Sequence, residues 1–382
     1  MRSLGALLAL WAGVAGAYPW MVKHGYGSCA ACHVDPSGAG QLTNFGRSEA
    51  ERVVRWTPSA PVPGPNPNSR FLWFLELPES VNLSGNLRYG ALIQPGAARV
   101  AVPLEMATDL SATFSFQNQL FLHATAGFGR RDVVAPAIVA PACDPAKDGE
   151  CGPSLLARTF WAGFKVEDGS LMLRGGRLVL PFGLRNNEHS TWVRTLTRTD
   201  SNVQQKLGVA VSFLSGAWRG EVMALAGAFL PADQEAGYSG ALAYGLNPTT
   251  ELGLSSLVAT GVSGQALTRQ AHGLYFRWAP VTPLVVLAEA DLLAWTGSAT
   301  ATVGYAALAQ ADWELTQGLH VMVTAESAHR GVTQHGPSLG AWVSVAWYFF
   351  SHFELRLDNV VRRLDALSPV SYALVAQLHL FL

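Results

Sequence analysis

From residue 80 to the last residue the chain alternates apolar and polar side chains with a period of two, which confines it to strands. In the first such stretch Val81, Leu83, Leu87, Tyr89, Ala91 and Ile93 share one face, and Asn82, Ser84, Asn86 and Arg88 share the other. The alternation returns at 303–314, 319–326 and 353–358, and no sustained helical repeat interrupts it. The connections alternate as well. Short turns fall at 166–169, 214–217, 246–249, 280–282, 315–318 and 350–352, and long loops at 130–154, 181–203, 230–237, 263–268 and 330–337. Short turns at one end and long loops at the other are the pattern of a closed, membrane-spanning barrel with periplasmic turns and extracellular loops. Walking the strands from residue 80 gives about 16, an even number that returns both ends of the barrel to the short-turn side.

Alternation does not say which face is outside; composition and length do. Charged residues are 14% of the 382, against roughly a quarter in an ordinary soluble domain. Roughly 300 residues of strand pairs is also too many for one water-soluble barrel. The apolar face is therefore read as lipid-facing and the polar face as lumen. That assigns Arg88, Glu105, Lys165, Glu221, Arg277, Glu289, Asp291, Glu326, Glu354, Arg356 and Asp358 to the lumen wall, where Glu289 and Asp291 on one strand are placed to attract a cation. The last strand carries Tyr372, Leu374, Ala376, Leu378, Leu380 and Leu382 in alternation to the end, like the closing strand of outer-membrane proteins, although Phe381 is penultimate here. A formal net charge of −1 provides no basic footprint for nucleic acid.

The N-terminus reads as an export signal: Arg2, then an apolar run over 4–14, then Ala15-Gly16-Ala17 as a cleavage site, so residues 1–17 are expected to be removed. The run is too short for a bilayer span, and no later stretch of roughly 18 apolar residues provides one. Residues 57–69 hold five prolines, an extended spacer of about 40 Å at most at ~3 Å per residue. The expected organisation is thus a signal peptide (1–17), a small segment (18–56), a proline-rich linker (57–69) and a transmembrane antiparallel β-barrel (70–382).

The small segment contains Cys29-Ala30-Ala31-Cys32-His33, the C-x-x-C-H attachment pattern of a c-type haem. Each thiol can bond one vinyl-derived carbon of the porphyrin, and the adjacent imidazole reaches the iron as proximal ligand. A disulfide or a zinc site with His24 are the alternatives, and the contiguous spacing suits haem better. One covalent haem c is therefore expected on Cys29, Cys32 and His33. Met21 and His24 are local candidates for the second axial position, with His24 placed first. His320, His352 and His379, near the short-turn ends of late strands, are lumen-facing alternatives, and His123 faces the lumen on an earlier strand. The segment is too short for a core of its own, so a haem here has to be covered by something else. Cys143 and Cys151, in the 130–154 loop, are expected to form a disulfide in an oxidising compartment.

With Pro36 and Phe45-Gly46-Arg47 downstream of the motif, the chain resembles the fused monohaem cytochrome–porins of the bacterial outer membrane, whose best-known members oxidise ferrous iron outside the cell. Those members carry a Phe-Ala-Arg-Gln-Thr type of sequence before the first Cys, where this chain has Trp20-Met21-Val22-Lys23-His24. Gly176-Arg177-Leu178-Val179-Leu180-Pro181-Phe182-Gly183-Leu184-Arg185 resembles a Pro-Phe-Gly-Leu loop of large bacterial porins. The resemblance implies outer-membrane electron transfer, with the haem plugged into or docked on the barrel. Its implied partners are a periplasmic carrier such as a soluble cytochrome, an extracellular donor or acceptor, and outer-membrane lipid. Any enzyme activity would be that of an iron-type oxidoreductase acting as an electron conduit. The alternative expectation is a solute-conducting porin in which the haem segment is a gate or sensor.

Overall fold

The computed structural model describes residues 14–15, 19–38, 40–56, 71–72, 74–94, 101–130, 153–185, 191–200, 204–227, 235–261, 267–297, 301–331 and 335–382. The expected linker, both Cys143 and Cys151, and all of the expected signal peptide except Val14–Ala15 lie outside them. Sixteen antiparallel strands close on themselves. They are β1 (Val81–Ile93), β2 (Ala101–Phe116), β3 (Leu120–Arg130), β4 (Pro153–Lys165), β5 (Leu171–Leu178), β6 (Lys206–Ser215), β7 (Trp218–Ala226) and β8 (Glu235–Asn247). The second half comprises β9 (Thr250–Gly261), β10 (Thr268–Val281), β11 (Leu284–Thr296), β12 (Ala301–Thr316), β13 (Leu319–His329), β14 (Ser338–Phe350), β15 (Phe353–Arg363) and β16 (Ser371–Phe381). Each strand pairs with its successor, and β16 returns to β1 with Phe381 opposite Asn86 and Leu374 opposite Ile93. Closure leaves no unpaired edge, the condition for putting strands into lipid. Both barrel ends lie at the short-turn rim, where Ser115 donates its amide to Ser80 and Leu382 exchanges amide bonds with Gly85.

Burial resolves which face is which. Along β14, Ser338, Gly340, Trp342, Ser344, Ala346 and Tyr348 are buried, while Leu339, Ala341, Val343, Val345 and Trp347 are exposed. On neighbouring strands Leu274, Leu292 and Val303 are each more than 60% exposed, whereas Glu289, Asp291, Asp312 and Thr324 are 2% or less. The outer wall is thus a continuous apolar belt, a lipid-facing surface. Trp218, Tyr244, Trp278, Trp313, Trp347 and Phe350 stand exposed beside the short turns, as an interfacial aromatic girdle would.

Two expectations are corrected. Glu105 faces outward. A bulge makes Arg88 pair with Ala107 but Tyr89 with Glu105, and one extra residue on β2 reverses every side chain beyond it. Glu105 then accepts from Thr108, which also bonds the outward Tyr89. The described residues of the 181–203 connection, expected as an external loop, turn into the lumen. Its apolar start, Leu178, Val179, Leu180, Phe182 and Leu184, is almost completely buried. An apolar run of this length has no solvent-exposed position of comparable free energy. Wall groups satisfy its backbone: Ser239 donates to the Pro181 carbonyl, Glu289 accepts from Leu184 N–H, and Glu326 accepts from Trp192 N–H, at 2.9–3.0 Å. A short helix, α2 (Trp192–Thr197), follows. Gly183 has φ +58, and a Cβ there would stand 1.8 Å from Glu289 Oε1, so both backbone and space demand glycine.

The described residues of 19–56 also lie in the lumen, bonded to wall residues in the short-turn halves of their strands. Lys23 pairs with Glu314 at 2.5 Å, Asp35 with Arg174 at 2.6 Å, and Arg277 donates to the Gly27 carbonyl at 3.0 Å. Gln41 donates to the Asn82 carbonyl and accepts from Thr113, while Asn82 donates to the Leu42 carbonyl. At the rim, Trp56 N–H donates to the Tyr348 carbonyl, and the Gln317 amide donates to the Arg52 and Arg55 carbonyls. Trp20, Met21, Val22, Tyr26, Val53 and Val54 form a buried cluster with Tyr275, Val285, Leu287, Met322 and Tyr348. The core that this short segment lacks by itself is provided by the barrel wall.

Candidate functional site

The C-x-x-C-H stretch is one tight turn. Ser28 caps a 3-10 turn, Cys29–Ala31, and the amides of Cys32 and His33 both donate to the Cys29 carbonyl. Cys29 is half-buried and Cys32 is buried. Burial pushes the Cys32 thiol up to about 12, so it is a neutral thiol and not a thiolate poised for exchange. His33 Nδ1 lies 3.1 Å from the Gly40 carbonyl oxygen. A carbonyl only accepts, so Nδ1 carries the hydrogen and Nε2 keeps its lone pair, the tautomer a metal requires.

The downstream residues hold this turn in place. Thr43 N–H donates to the Cys32 carbonyl at 2.7 Å, and Thr43 caps the helix α1 (Asn44–Glu49) by accepting from Gly46 N–H. Gly46 packs directly on the motif: a Cβ there would lie 2.2 Å from the Cys32 carbonyl oxygen. Arg47 reaches the wall, donating to Asn82 Oδ1 and to the Leu83 carbonyl. Asp35 closes the following loop by accepting from Ser37 N–H. Although burial opposes it, Arg174 and the Ser37 hydrogen bonds hold the Asp35 carboxyl below its ordinary value.

Two cavities of ≈190 and ≈340 Å³ flank the motif, the first reaching Cys32 and the second Cys29, with His33, Leu184 and Arg185 lining both. The site is therefore built between the N-terminal segment and the inward loop 179–205. Met21, His123 and His379 share the first cavity with His33. His379 Nδ1 is bonded to Glu354 and Nε2 to Asn86, and both nitrogens of His123 are bonded to threonines. His24 stands beside Lys23, Glu314 and His320 and is not among the side chains lining that cavity. Burial and the Lys23 charge hold it down to about 4, so it is a neutral imidazole. His320 is bonded to Asp312 and lies against Trp20, and His352 sits in the β14–β15 turn, edge-on to Phe381. Among the expected lumen histidines the structure thus brings His379 and His123 to the cavity at His33, and leaves His320 and His352 nearer the rim.

Of the cationic lining, alternation singled out Arg88 alone. Arg88, Arg158, Arg185 and Arg194 all border the first cavity. Arg185 lay within the Pro-Phe-Gly-Leu-Arg run, but its role depends on that loop folding inward. Nor does periodicity pair Arg174 with Asp35 and Glu221, a buried triad joining segment to wall. Among the described residues no three His, Cys, Asp or Glu side chains converge to hold a metal ion, so the zinc alternative has no ligand set there.

A sixteen-stranded barrel with short turns at one rim, an apolar belt outside and a loop folded into a polar lumen defines the porin fold. Solved structures agree. OmpT, an outer membrane protein of Vibrio cholerae, matches with a TM-score of 0.60 at 8% identity, over 79% of this chain and 99% of its own. An anion-selective porin from Comamonas acidovorans matches at 0.56 and 10%, over 79% and 99%. The outer membrane channel DcaP of Acinetobacter baumannii matches at 0.55 and 11%, over 79% and 97%. At these identities the likeness shows the fold alone. No protein-family model and no curated protein matches the sequence.

Proposed function

We propose that the chain is a bacterial outer-membrane protein that carries one covalent haem c inside its barrel and passes electrons, rather than solutes, across the membrane. The observation that carries the reading is the C-x-x-C-H turn among lumenal wall residues, with Cys32 and His33 lining one cavity and Cys29 and His33 the other. The residues fit such a group. Cys29 and Cys32 would make the thioethers and His33 Nε2 the proximal bond, with Met21, Val54 and Leu184 as apolar walls. Arg185 and Arg194 provide cations for its carboxylates. Once bound, haem c supplies a one-electron iron couple.

The protein's own part is housing and access. Residues 19–56 fill the short-turn half of the lumen, so the redox centre would sit within reach of a soluble periplasmic carrier. Leu184 and Arg185 of the inward loop line both cavities beside the motif. Extracellular ferrous iron is one donor of the expected chemistry, and the direction of flow is part of what the test decides.

The second reading is a solute-conducting porin in which residues 19–56 act as a gate or sensor. The comparisons speak for it: the solved structures include a channel and an anion-selective porin by name. One pair of measurements separates the two. Protein purified from an oxidising compartment should show a c-type absorption spectrum that Cys32→Ser abolishes, and should give little conductance in planar bilayers. A colourless wild-type protein with steady single-channel conductance would refute electron transfer in favour of the porin.

A further inference from the structure

Asp291 is a buried charge that neither reading uses. It lies on β11 two residues beyond Glu289, on the same inward face. It is 2% exposed, and neither carboxylate oxygen has a hydrogen-bond or ion-pair partner among the described residues. Ser255 on β9, Gly273 on β10 and Asp291 form one row across three adjacent strands. Gly273 leaves the space between its neighbours open: a Cβ there would stand 1.9 Å from Asp291 Oδ1 and 3.1 Å from Ser255 Oγ. The Ser255 hydroxyl is itself 6% exposed and has no partner. One register step away, Glu289 Oε1 is also unpartnered, while Oε2 is taken by Leu184 N–H and Arg194.

Charge and geometry narrow what belongs there. Arg194 balances Glu289, which leaves the single negative charge of Asp291 uncompensated. A buried carboxylate in that condition costs several kcal/mol unless something meets it. A proton removes the charge and donates to one of these unpartnered oxygens, which leaves the others unmet. A hard cation in the gap at Gly273 engages the Asp291 and Ser255 oxygens together, and carboxylate and hydroxyl oxygens are what alkali and alkaline-earth ions prefer. We propose that Asp291, Ser255 and Glu289 bind a hard, oxygen-seeking cation of the calcium or sodium class, in the wall beneath the inward loop. The site ties β9, β10 and β11 to the loop that Glu289 already holds.

The test uses the full-length protein in detergent and terbium as the probe, with Trp295 on the same strand as sensitiser. The expected result is one saturable luminescent site that calcium displaces. Asp291→Asn should weaken it at least about tenfold, and Gly273→Ala, which fills the gap by pushing aside the end of one flexible side chain, should do the same. Ser255→Ala serves as the milder variant if Asp291→Asn does not fold. Repeating the titration on Cys29→Ser should change nothing. Absence of a saturable site, binding unchanged in these variants, or a protonated-carboxyl infrared band in wild type that Asp291→Asn removes would each overturn the proposal.

Discussion

Arg174 is the strongest single tie between the lumenal segment and the wall, and its triad can be taken apart in two ways with different costs. Its guanidinium is fully buried, with Nη1 2.6 Å from Asp35 and Nη2 2.5 Å from Glu221. At an effective dielectric of about 20 each charge pair contributes on the order of 4 kcal/mol of Coulomb energy, against a desolvation cost of similar size. The formal charge of the triad is −1. Arg174→Met leaves two buried carboxylates with no cation between them, and the expected loss is about 3–5 kcal/mol. Asp35→Asn leaves Arg174 and Glu221 as a balanced pair, and the expected loss is only about 1–2 kcal/mol. The second loss also falls on docking of the segment alone, because Asp35 belongs to it. Urea midpoints followed by circular dichroism give the first quantity, and limited proteolysis of residues 18–56 in folded protein gives the second. Asp35→Asn should accelerate cleavage of the segment while the barrel midpoint barely moves, and Arg174→Met should shift both. Equal destabilisation by the two variants, or an Arg174→Met midpoint within about 1 kcal/mol of wild type, would show that the triad is not the tie inferred here.

Gly46→Ala should misplace the motif, since its Cβ meets the Cys32 carbonyl oxygen at 2.2 Å; expect markedly lower haem incorporation per barrel, read as the ratio of Soret to protein absorbance, in otherwise folded protein. On the outer wall, Leu274→Arg at mid-strand should cost about 2–4 kcal/mol in bilayer refolding titrations, and a cost near zero would contradict the lipid-facing assignment of that face. Glu49 predicts a pH dependence: burial raises its carboxyl, but the Arg52 and Tyr26 hydrogen bonds outweigh this and leave it below its ordinary value. A group depressed in the folded state stabilises above its unfolded pKa and loses that contribution as pH falls. Protease sensitivity of the segment should therefore rise below roughly pH 4.5, and Glu49→Gln should remove that part of the pH dependence.

What could be read from the sequence was set by local rules. Strand identity, the count, the even closure and the short-turn rim all follow from a period of two and from turn lengths, because neighbouring strands of a barrel pair in chain order. The tight turn around Cys29, Cys32 and His33 is local in the same sense, and the Gly46 that packs on it lies 13 residues beyond His33. Composition chose the apolar face as the outer one, since a charge deficit on this scale needs lipid to face.

Tertiary structure decided whatever depends on a single residue of register or on contacts distant in sequence. One bulge in β2 moved Glu105 from lumen to exterior, and alternation is blind to one inserted residue. The run at 178–184 could have been strand or loop by pattern; only the presence of a lumen to fill turned it inward, where Leu184 meets Glu289 more than a hundred residues later. The cavity at His33 is likewise a product of closure. It brings Met21, His123, His379 and Arg185 together from four separate parts of the chain, and no spacing in the sequence encodes that meeting. The sequence by itself determined a barrel and a tight Cys-x-x-Cys-His turn; the closed barrel alone decided that the turn lies inside.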